Sequence, residues 1–587
     1  MLNNFSNELR KTKYSTSSLN EHSKETSNNN SQATQQQLSG FCDSGTISSE
    51  ISKLKRQVTR AKLVHRKTLA LYDKHLHNFN GCMGSHLFDR ALIVNLVKRN
   101  EVNGLPYGVM KCDYVPYISY TYPEKADQYL DNGHSLQTYC PDLFIPDFTR
   151  AKAFMASDHW PGNEEFTLTL TDESGKRTFA YCIRHLIRHC KKDSKQQVNC
   201  SKNGDLPEVF AIISPIHAPQ FYLALAEECV CYLHESFDQL KDMLDIVYQC
   251  TFPTDGGSLH ILKKAKSGIK QDIVIRGQGS ILGQTDCSAV VRRMGPEVTV
   301  AVIAALLSEQ RVIIAGGSVQ SVCHAVQSIA CLLQPFSWPY TLIPVLPDSL
   351  TEIVNSPTPY LVGLLRTNMY KLKSLVFMNN NQCDDDLGEE DLVIVDLDGG
   401  IFLPQLTELR TANENVDFKI KNAYALCKKL LLPKKLAVNL ISKLKDAVLV
   451  GEGSLADAML QKAMLTWYAS LVWPYKNCNF NAAFIAESNG DYDSLRISKS
   501  QLIASHTSKS TRRFIEWFVE TGVFREWIRR KVSKSSEMIL TQIGDVTNQK
   551  FDECVLALAS QASQRRVVNI FTKAQNVIFR PHFLKKS

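Results

Sequence analysis

Between Val298 and Leu365 the chain switches repeatedly between two apolar rhythms. Val298 to Leu307 is a continuous apolar run of helix-capable residues, closed by the polar break Ser308-Glu309-Gln310-Arg311. Arg311 to Ala315 carries the β-branched run Val312-Ile313-Ile314, which signals a buried strand. Gly316-Gly317 then turns the chain, and Ser318 is placed to cap a helix. In that helix Val322, Val326, Ile329 and Leu333 fall on one face, and Pro335 stops it. Trp338 to Pro344 predicts a second short strand. Pro347 and Ser349 open another helical turn, and Tyr360 to Leu365 makes a third strand. Helix and strand in alternation, joined by short links, predict an α/β unit on a parallel sheet buried on both faces.

Upstream the rhythm differs. Leu87 to Val97 reads as a strand, and Phe166 to Thr171 alternates apolar and polar with period two, the pattern of a half-buried strand. Asp172-Glu173-Ser174-Gly175 is turn chemistry, and Arg177 to Leu186 returns as the partner strand. Val209 to Ser214 adds another strand, and Pro219 to Cys250 reads as one long helix. Hairpins followed by a helix predict an α+β lobe with an antiparallel sheet. Thr251 to Glu297 is a polar connector with a candidate hairpin at Ile273-Val274-Ile275 and Ile281-Leu282. After Leu365, Ser374 to Phe377 and Leu392 to Leu397 read as strands, with Asp384-Asp385-Asp386 in an exposed loop between them. From Asp417 the pattern is helical, and the run from Ser508 to Val532 places Phe514, Trp517, Phe518 and Phe524 at helical spacing. The tail from Phe551 holds one more helix, and no internal repeat is visible.

Composition narrows the class. A chain of 587 residues, 44% hydrophobic and 21% charged, suffices for three or four ordinary folded units. The formal charge of +8 is spread along the whole length and by itself argues for neither nucleic acid nor membrane. Met1 to Glu50, rich in Ser, Asn, Gln and Thr, has too few apolar residues to offset its ordering entropy and is expected to be disordered. Ile51 to His77 mixes apolar residues with Lys and Arg and reads as a basic helix, either touching an anionic membrane or a partner, or packed weakly on the body. The 17 cysteines show no zinc spacing. With no basic-then-apolar leader, reduced cytosolic thiols are the simplest reading. The longest apolar runs are about ten residues, half of the ~20 that a membrane span needs.

Candidate chemistry is sparse. Gly316-Gly317 lies between strand and helix as a phosphate loop would, but lacks the further glycines, Lys and Thr of either nucleotide motif, so a tight turn is the better reading. His185 and His189 have i, i+4 spacing without a third ligand, which leaves them as surface residues. Asp384 to Asp386, and Asp396 with Asp398, lack calcium-loop spacing. No nucleophile elbow occurs. The expectation is no catalytic residue, no metal and no cofactor. The densest unusual cluster is Trp338, Pro344, Pro347, Pro357 and Pro359. It reads either as rigid loops around a core tryptophan or as a partner-facing surface, at the strand ends where α/β sheets bind.

The same residues carry a resemblance. LLSEQRVI, the helix ending at QPFSWPYTLIPVLP, and SPTPYLVGLL together resemble the central segment of the DENN domain. LFDRALIVNLV, LFIPDF, the hairpin FTLTLTDESGKRTFAYC and LPEVFAII follow the order of its upstream segment. The run from SKS through RF and ETGVF to WIRR is similar to its downstream segment. The phrasing is most similar to the second DENN subfamily. Gly104 to Asp158 and the connector from Gly256 to Gly295 match less well.

Composition gives a disordered tail and basic helix over 1–80, and the resemblance implies a longin-like upstream lobe over 86–250. It implies a central, doubly wound α/β lobe over 258–390, a helical downstream segment over 392–540, and a C-terminal helix and tail over 541–587. It further implies a guanine-nucleotide exchange factor, in the cytoplasm and recruited to endosomal or Golgi membranes. Its partner would be a Rab-family GTPase in the GDP-bound or nucleotide-free state, with peripheral membrane contact and no nucleic acid. A Rab-binding scaffold without exchange activity is the rival reading, and a nucleotide-dependent enzyme a third. The partner-facing candidates are Glu309 and Arg311 at the start of the central strand, Trp338, Pro344 and Pro347 in the following loop, and Asp396 and Asp398 at a strand end.

Overall fold

The computed structural model describes residues 86–99, 113–124, 139–150, 163–172, 175–186, 206–253, 258–264, 270–276, 285–372, 392–398, 401–402, 416–532 and 547–561. The Ser/Asn/Gln-rich tail, the basic segment 51–77, His189, Ile281-Leu282, the strand expected at Ser374 and the loop at Asp384 lie outside them. Apart from the hairpin tip 171–177, every element below belongs to one compact unit, 80–170 with 178–587.

The upstream residues form a five-stranded sheet of β1 (Arg90–Lys98), β2 (Tyr114–Tyr122), β3 (Glu164–Thr171), β4 (Arg177–Leu186) and β5 (Pro207–Ser214). Its order is β2-β1-β5-β4-β3, and the β1–β2, β1–β5 and β4–β5 pairs are antiparallel. Period-two alternation in β1 sends Leu92, Val94 and Leu96 into one core and Ala91 and Ile93 into another, so both faces are covered. β3, expected to be half-buried, is buried from Phe166 to Leu170: Phe166, Leu168 and Leu170 lie in the first of these cores, and Thr167 and Thr169 are buried as well.

The long helix expected from Pro219 to Cys250 is two: α1 (Pro219–Glu235) and α2 (Phe237–Tyr248). Ser236 breaks it. Its backbone is extended and its hydroxyl accepts from the Asp238 N–H at 3.2 Å, a cap that competes with the continuing helix. The break lets Leu240, Met243, Leu244 and Val247 of α2 share one core with Phe221, Tyr222 and Leu225 of α1. The connector holds a hairpin, but Ile273-Val274-Ile275 pair with upstream residues and not with Ile281-Leu282: β6 (Ser258–Lys264) runs antiparallel to β7 (Lys270–Arg276), and Ile261 and Ile275 join that same core.

The central residues hold α3 (Cys287–Met294), which the sequence pattern did not indicate, then α4 (Pro296–Leu307), β8 (Arg311–Gly316), α5 (Val319–Leu332), β9 (Thr341–Ile343), β10 (Tyr360–Leu365), β11 (Leu392–Asp396) and β12 (Ile401–Phe402). The strand order is β12-β11-β8-β10-β9, parallel except for β12 at the edge. Every residue of β8 and β10 is buried, as strands covered on both faces require. α4 is apolar all round and buried from Glu297 to Leu307, between β8 and the helices that follow. On the other face of the sheet, Ile313, Val362 and Ile394 pack with Leu346, Val354 and Met369. Leu346 and Val354 lie in and beside the 3-10 turn Asp348–Asn355.

The remaining described residues are helical: α6 (Val416–Lys429), α7 (Lys434–Val450), α8 (Ser454–Val472), α9 (Phe480–Ser488), α10 (Asp493–Ala504), α11 (Lys509–Phe518), α12 (Gly522–Val532) and α13 (547–561). The run from Ser508 to Val532 is also two helices. The Thr521 hydroxyl donates to the Phe518 carbonyl at 2.6 Å and accepts from the Phe524 N–H at 3.3 Å, ending one helix and capping the next. Trp527 is 2% exposed and lies edge-on to Phe336, Tyr475 and Phe551 at centroid distances of 5.2, 5.1 and 6.0 Å. No described helix is long and apolar enough to cross a membrane.

Candidate functional site

Three parallel strands end level with one another. Leu365 of β10 pairs with Gly316 of β8, and Asp396 of β11 pairs with Ala315. Just beyond these ends lies a cluster of four charges. The Arg366 guanidinium binds Asp396 and also Asp398, the latter at 2.8 Å. Arg293 of α3 pairs with Asp398 as well. The Asp398 N–H donates to Asp396 Oδ1 at 3.0 Å, which folds the two carboxylates toward one cation. These bonds hold the Arg366 proton above its ordinary affinity, the hydrogen bond to Asp396 most of all. Arg366 and Arg293 remain 46% exposed and the two aspartates about a quarter exposed, so the cluster faces water. Exposed pairs of this kind contribute about 1 kcal/mol or less to stability, which leaves them free to serve recognition. The carboxyl ends of parallel strands are where open α/β sheets take their ligands.

Next to this cluster the turn Gly316-Gly317 leads into α5. Ser318 caps it, its hydroxyl accepting from the Ser321 N–H at 3.2 Å. The Gln320 N–H donates to Glu164 Oε1 of β3 at 3.0 Å. The positive end of the helix is therefore occupied by a carboxylate from the other sheet, which supports a structural turn over a phosphate loop.

α5 belongs to both cores. Val319, Val322 and Cys323 pack with Leu92, Phe166 and Val209 of the antiparallel sheet. Ala325, Val326 and Ile329 pack with Val312 and Ile314 of the parallel sheet. Two turns along, Gln327 Nε2 donates to Thr169 Oγ1 of the outer strand β3 at 2.8 Å, both residues being buried. A polar network runs alongside. Arg184 of β4, 2% exposed, lies 3.1 Å from Asp147 and 3.4 Å from Glu164. Asp348, at the start of the 3-10 turn, accepts from the Thr149 hydroxyl and from Lys371 at 3.1 Å, while its N–H donates to the Pro146 carbonyl at 3.3 Å. Gly363 lets the chain cross here. A Cβ on it would lie 1.9 Å from the Pro344 carbonyl oxygen and 2.4 Å from Val322 Cγ1. The two sheets are thus joined by shared core and buried hydrogen bonds.

The seven partner-facing candidates fall into separate places. Asp396 and Asp398 meet at the strand-end cluster. Glu309 and Arg311 lie at the other end of β8, with Trp338 at the corresponding end of β9. Glu309, at φ +55°, accepts from the backbone N–H groups of Gly522 (2.5 Å) and Val523 (3.2 Å), which open α12, and from the Tyr340 hydroxyl. Burial pushes its carboxyl up to about 7. Arg311 is buried, and Trp338 is 2% exposed with its indole N–H on the Thr341 carbonyl at 3.0 Å. Pro344 and Pro347 are buried where the two sheets join. These five hold the scaffold from inside. The i, i+4 histidine reading is also corrected: His185 is buried on β4, not at the surface. Its Nε2 lies 3.5 Å from Glu208 Oε1, and burial lowers it to about 4 while raising Glu208 to about 7. Among the described residues no group of His, Cys, Asp or Glu is placed to hold a metal. Arg366, Arg293, Glu164 and Gln327 were not singled out from sequence, because their roles depend on which strand ends meet.

Comparison with known proteins places these features in context. Residues 205–400, from β5 to just past β11, match the family model for the DENN (AEX-3) domain. The chain is 26% identical over 450 residues to DENN domain-containing protein 2A of Mus musculus, covering 76% of this chain and 40% of that protein. It is 25% identical over 469 residues to DENN domain-containing protein 2C of Homo sapiens, with 78% and 44% covered. It is 24% identical over 459 residues to DENN domain-containing protein 2D of Homo sapiens, with 77% and 83% covered. The chain therefore spans less than half of the 2A and 2C proteins and most of 2D.

Proposed function

We propose that this DENN-domain protein, akin to the second DENN subfamily, is a guanine-nucleotide exchange factor that speeds GDP release from a Rab-family GTPase in vesicle trafficking. The observation that carries the reading is α5, one buried helix common to the antiparallel upstream sheet and the parallel central sheet. A body so joined is pre-shaped, so that little binding energy is lost to ordering when a partner docks.

Exchange requires no nucleophile or general base. A GTPase that holds nucleotide near picomolar affinity commits on the order of −14 to −16 kcal/mol to it. The factor must bind the empty GTPase better than the loaded one, so that its contacts are realised as the switch loops and magnesium are displaced. Linkage then makes incoming GTP expel the factor by the same coupling. A surface of roughly 800 Å² per partner is needed, anchored by arginine or aromatic side chains. In this reading Arg366, Asp396 and Asp398 contribute polar anchors at the strand ends. Glu309, Arg311, Trp338, Pro344 and Pro347 fix the shape behind them. The protein acts in the cytoplasm and is recruited to endosomal or Golgi membranes.

Release of fluorescent GDP from a panel of purified Rabs tests this. Exchange activity appears as a concentration-dependent rise in release rate for one Rab or a small group. A scaffold binds loaded Rab and leaves every release rate unchanged.

A further inference from the structure

The outward side of α7 is continuous, and its two ends differ in chemistry. At 100° per residue its exposed positions fall within an arc of roughly 160°. Ala437, Leu440, Ile441, Leu444 and Ala447 occupy the opposite arc and are buried. The exposed arc opens on Lys434 and Lys435, which form no ion pair among the described residues. Lys428 and Lys429, at the end of α6, are exposed across the same helix–helix turn. From Lys421 to Glu452 the chain carries seven lysines, of which Lys445 pairs with Glu297 of α4, against two acids, Asp446 and Glu452.

Beyond the exposed Asp446, the last turn of the arc is apolar. Leu449 is 84% exposed, Val450 49%, and Leu455, just past the turn, 64%. This knob is held in place. Gly451 and Gly453 take φ of +122° and +105°, where side chains are disfavoured. Arg292 of α3 donates to the Val448 carbonyl at 3.1 Å and pairs with Glu452 at 3.2 Å, and the Gly453 N–H donates to the Ser288 hydroxyl at 3.3 Å. The anchored turn keeps three large apolar side chains in water, which costs free energy for each until something covers them.

We propose that this face of α7, with the turn into α8, is a docking surface for an anionic lipid bilayer. The lysines meet acidic headgroups while Leu449, Val450 and Leu455 enter the acyl boundary. A plane suits the face because the basic and apolar ends lie along one side of a helix about 25 Å long. Charge complementarity favours lipid over a second copy, since two such faces together would confine lysines from both chains within one interface. The proposal goes beyond nucleotide exchange: an exchange factor that failed to bind vesicles would still release GDP in solution.

Co-sedimentation of the full chain with phosphatidylcholine vesicles, and with the same vesicles carrying phosphatidylserine, tests it. Binding to the anionic vesicles that weakens with salt is expected. Replacing both lysines (K434S/K435S) should lower the partition coefficient on the order of thirtyfold. The pair L449S/L455S should lower it at least tenfold with the salt dependence intact. Thermal unfolding and solution GDP release serve as folding controls for both variants. Binding that is equal on neutral and anionic vesicles, or absent, overturns the proposal. So does binding unchanged in both variants but lost on replacing Lys53, Lys55 and Arg56. A parent chain that dimerises through this face, with L449S/L455S monomeric and vesicle binding absent, overturns it in favour of a protein interface.

Discussion

The Gln327 side-chain amide donates to the Thr169 hydroxyl across 2.8 Å, tying the helix of the parallel sheet to the outer strand of the antiparallel one. Both groups are buried, so neither has water as a substitute. Gln327→Ala strands the hydroxyl and should destabilise the protein by about 1–3 kcal/mol in denaturant titration. Gln327→Leu combined with Thr169→Val removes both polar groups and should cost less than the sum of the single changes. Additive costs would mean that the bond couples nothing.

Gly363 lies where the Pro344 carbonyl crosses β10. Gly363→Ala places a Cβ 1.9 Å from that oxygen. Overpacking against backbone, which cannot rotate away, should cost about 3 kcal/mol or more. The expected readout is a large fall in melting temperature or insoluble expression. Gly317→Ala, whose Cβ would lie 3.4 Å from Asp398 Oδ2, is the milder control.

Glu309 gives the stability a pH dependence of defined sign. Burial raises its carboxyl from 4.5 to about 7, so the folded state holds the proton more tightly than the unfolded chain. Unfolding free energy contributed by this group is therefore full at low pH and falls as pH rises between those two values. The loss is on the order of 3 kcal/mol at most. Glu208 acts with the same sign, whereas His185, lowered to about 4, acts oppositely, its contribution growing from pH 4 to 6.5. The difference between wild type and Glu309→Gln isolates the one group. Stability measured from pH 4.5 to 7.5 should fall more steeply in wild type.

The interior and strand-end candidates should separate by experiment. Trp338→Ala removes a buried indole and should cost about 3–5 kcal/mol. Asp398→Asn and Arg366→Ala act on exposed pairs and should change stability by less than about 1 kcal/mol while slowing GDP release. A strand-end variant with full exchange activity would remove that cluster from the partner surface.

Much of this architecture was legible where local chemistry decided it. Val312-Ile313-Ile314 had to be a buried strand, and Ser318 followed a glycine pair as a cap should. Ser236 and Thr521 show the limit. Each lies inside an apolar rhythm that continues through it, and each ends a helix because its hydroxyl serves the backbone better as a cap. The site was less legible for a different reason. Asp396 and Asp398 are neighbours in sequence, but the cations that define them, Arg366 and Arg293, come from other elements 30 and 105 residues away. Glu309 is marked in the sequence by its place at the start of the central strand. Only the fold shows that α12, more than 200 residues later, supplies its partners.

The dissociation constants for one responsive Rab, stripped of nucleotide and loaded with GTP, bear most directly on the whole account. The stripped form should bind on the order of a hundredfold more tightly, and added GTP should dissociate the complex. Equal affinity, or a preference for the loaded form, would contradict the exchange mechanism.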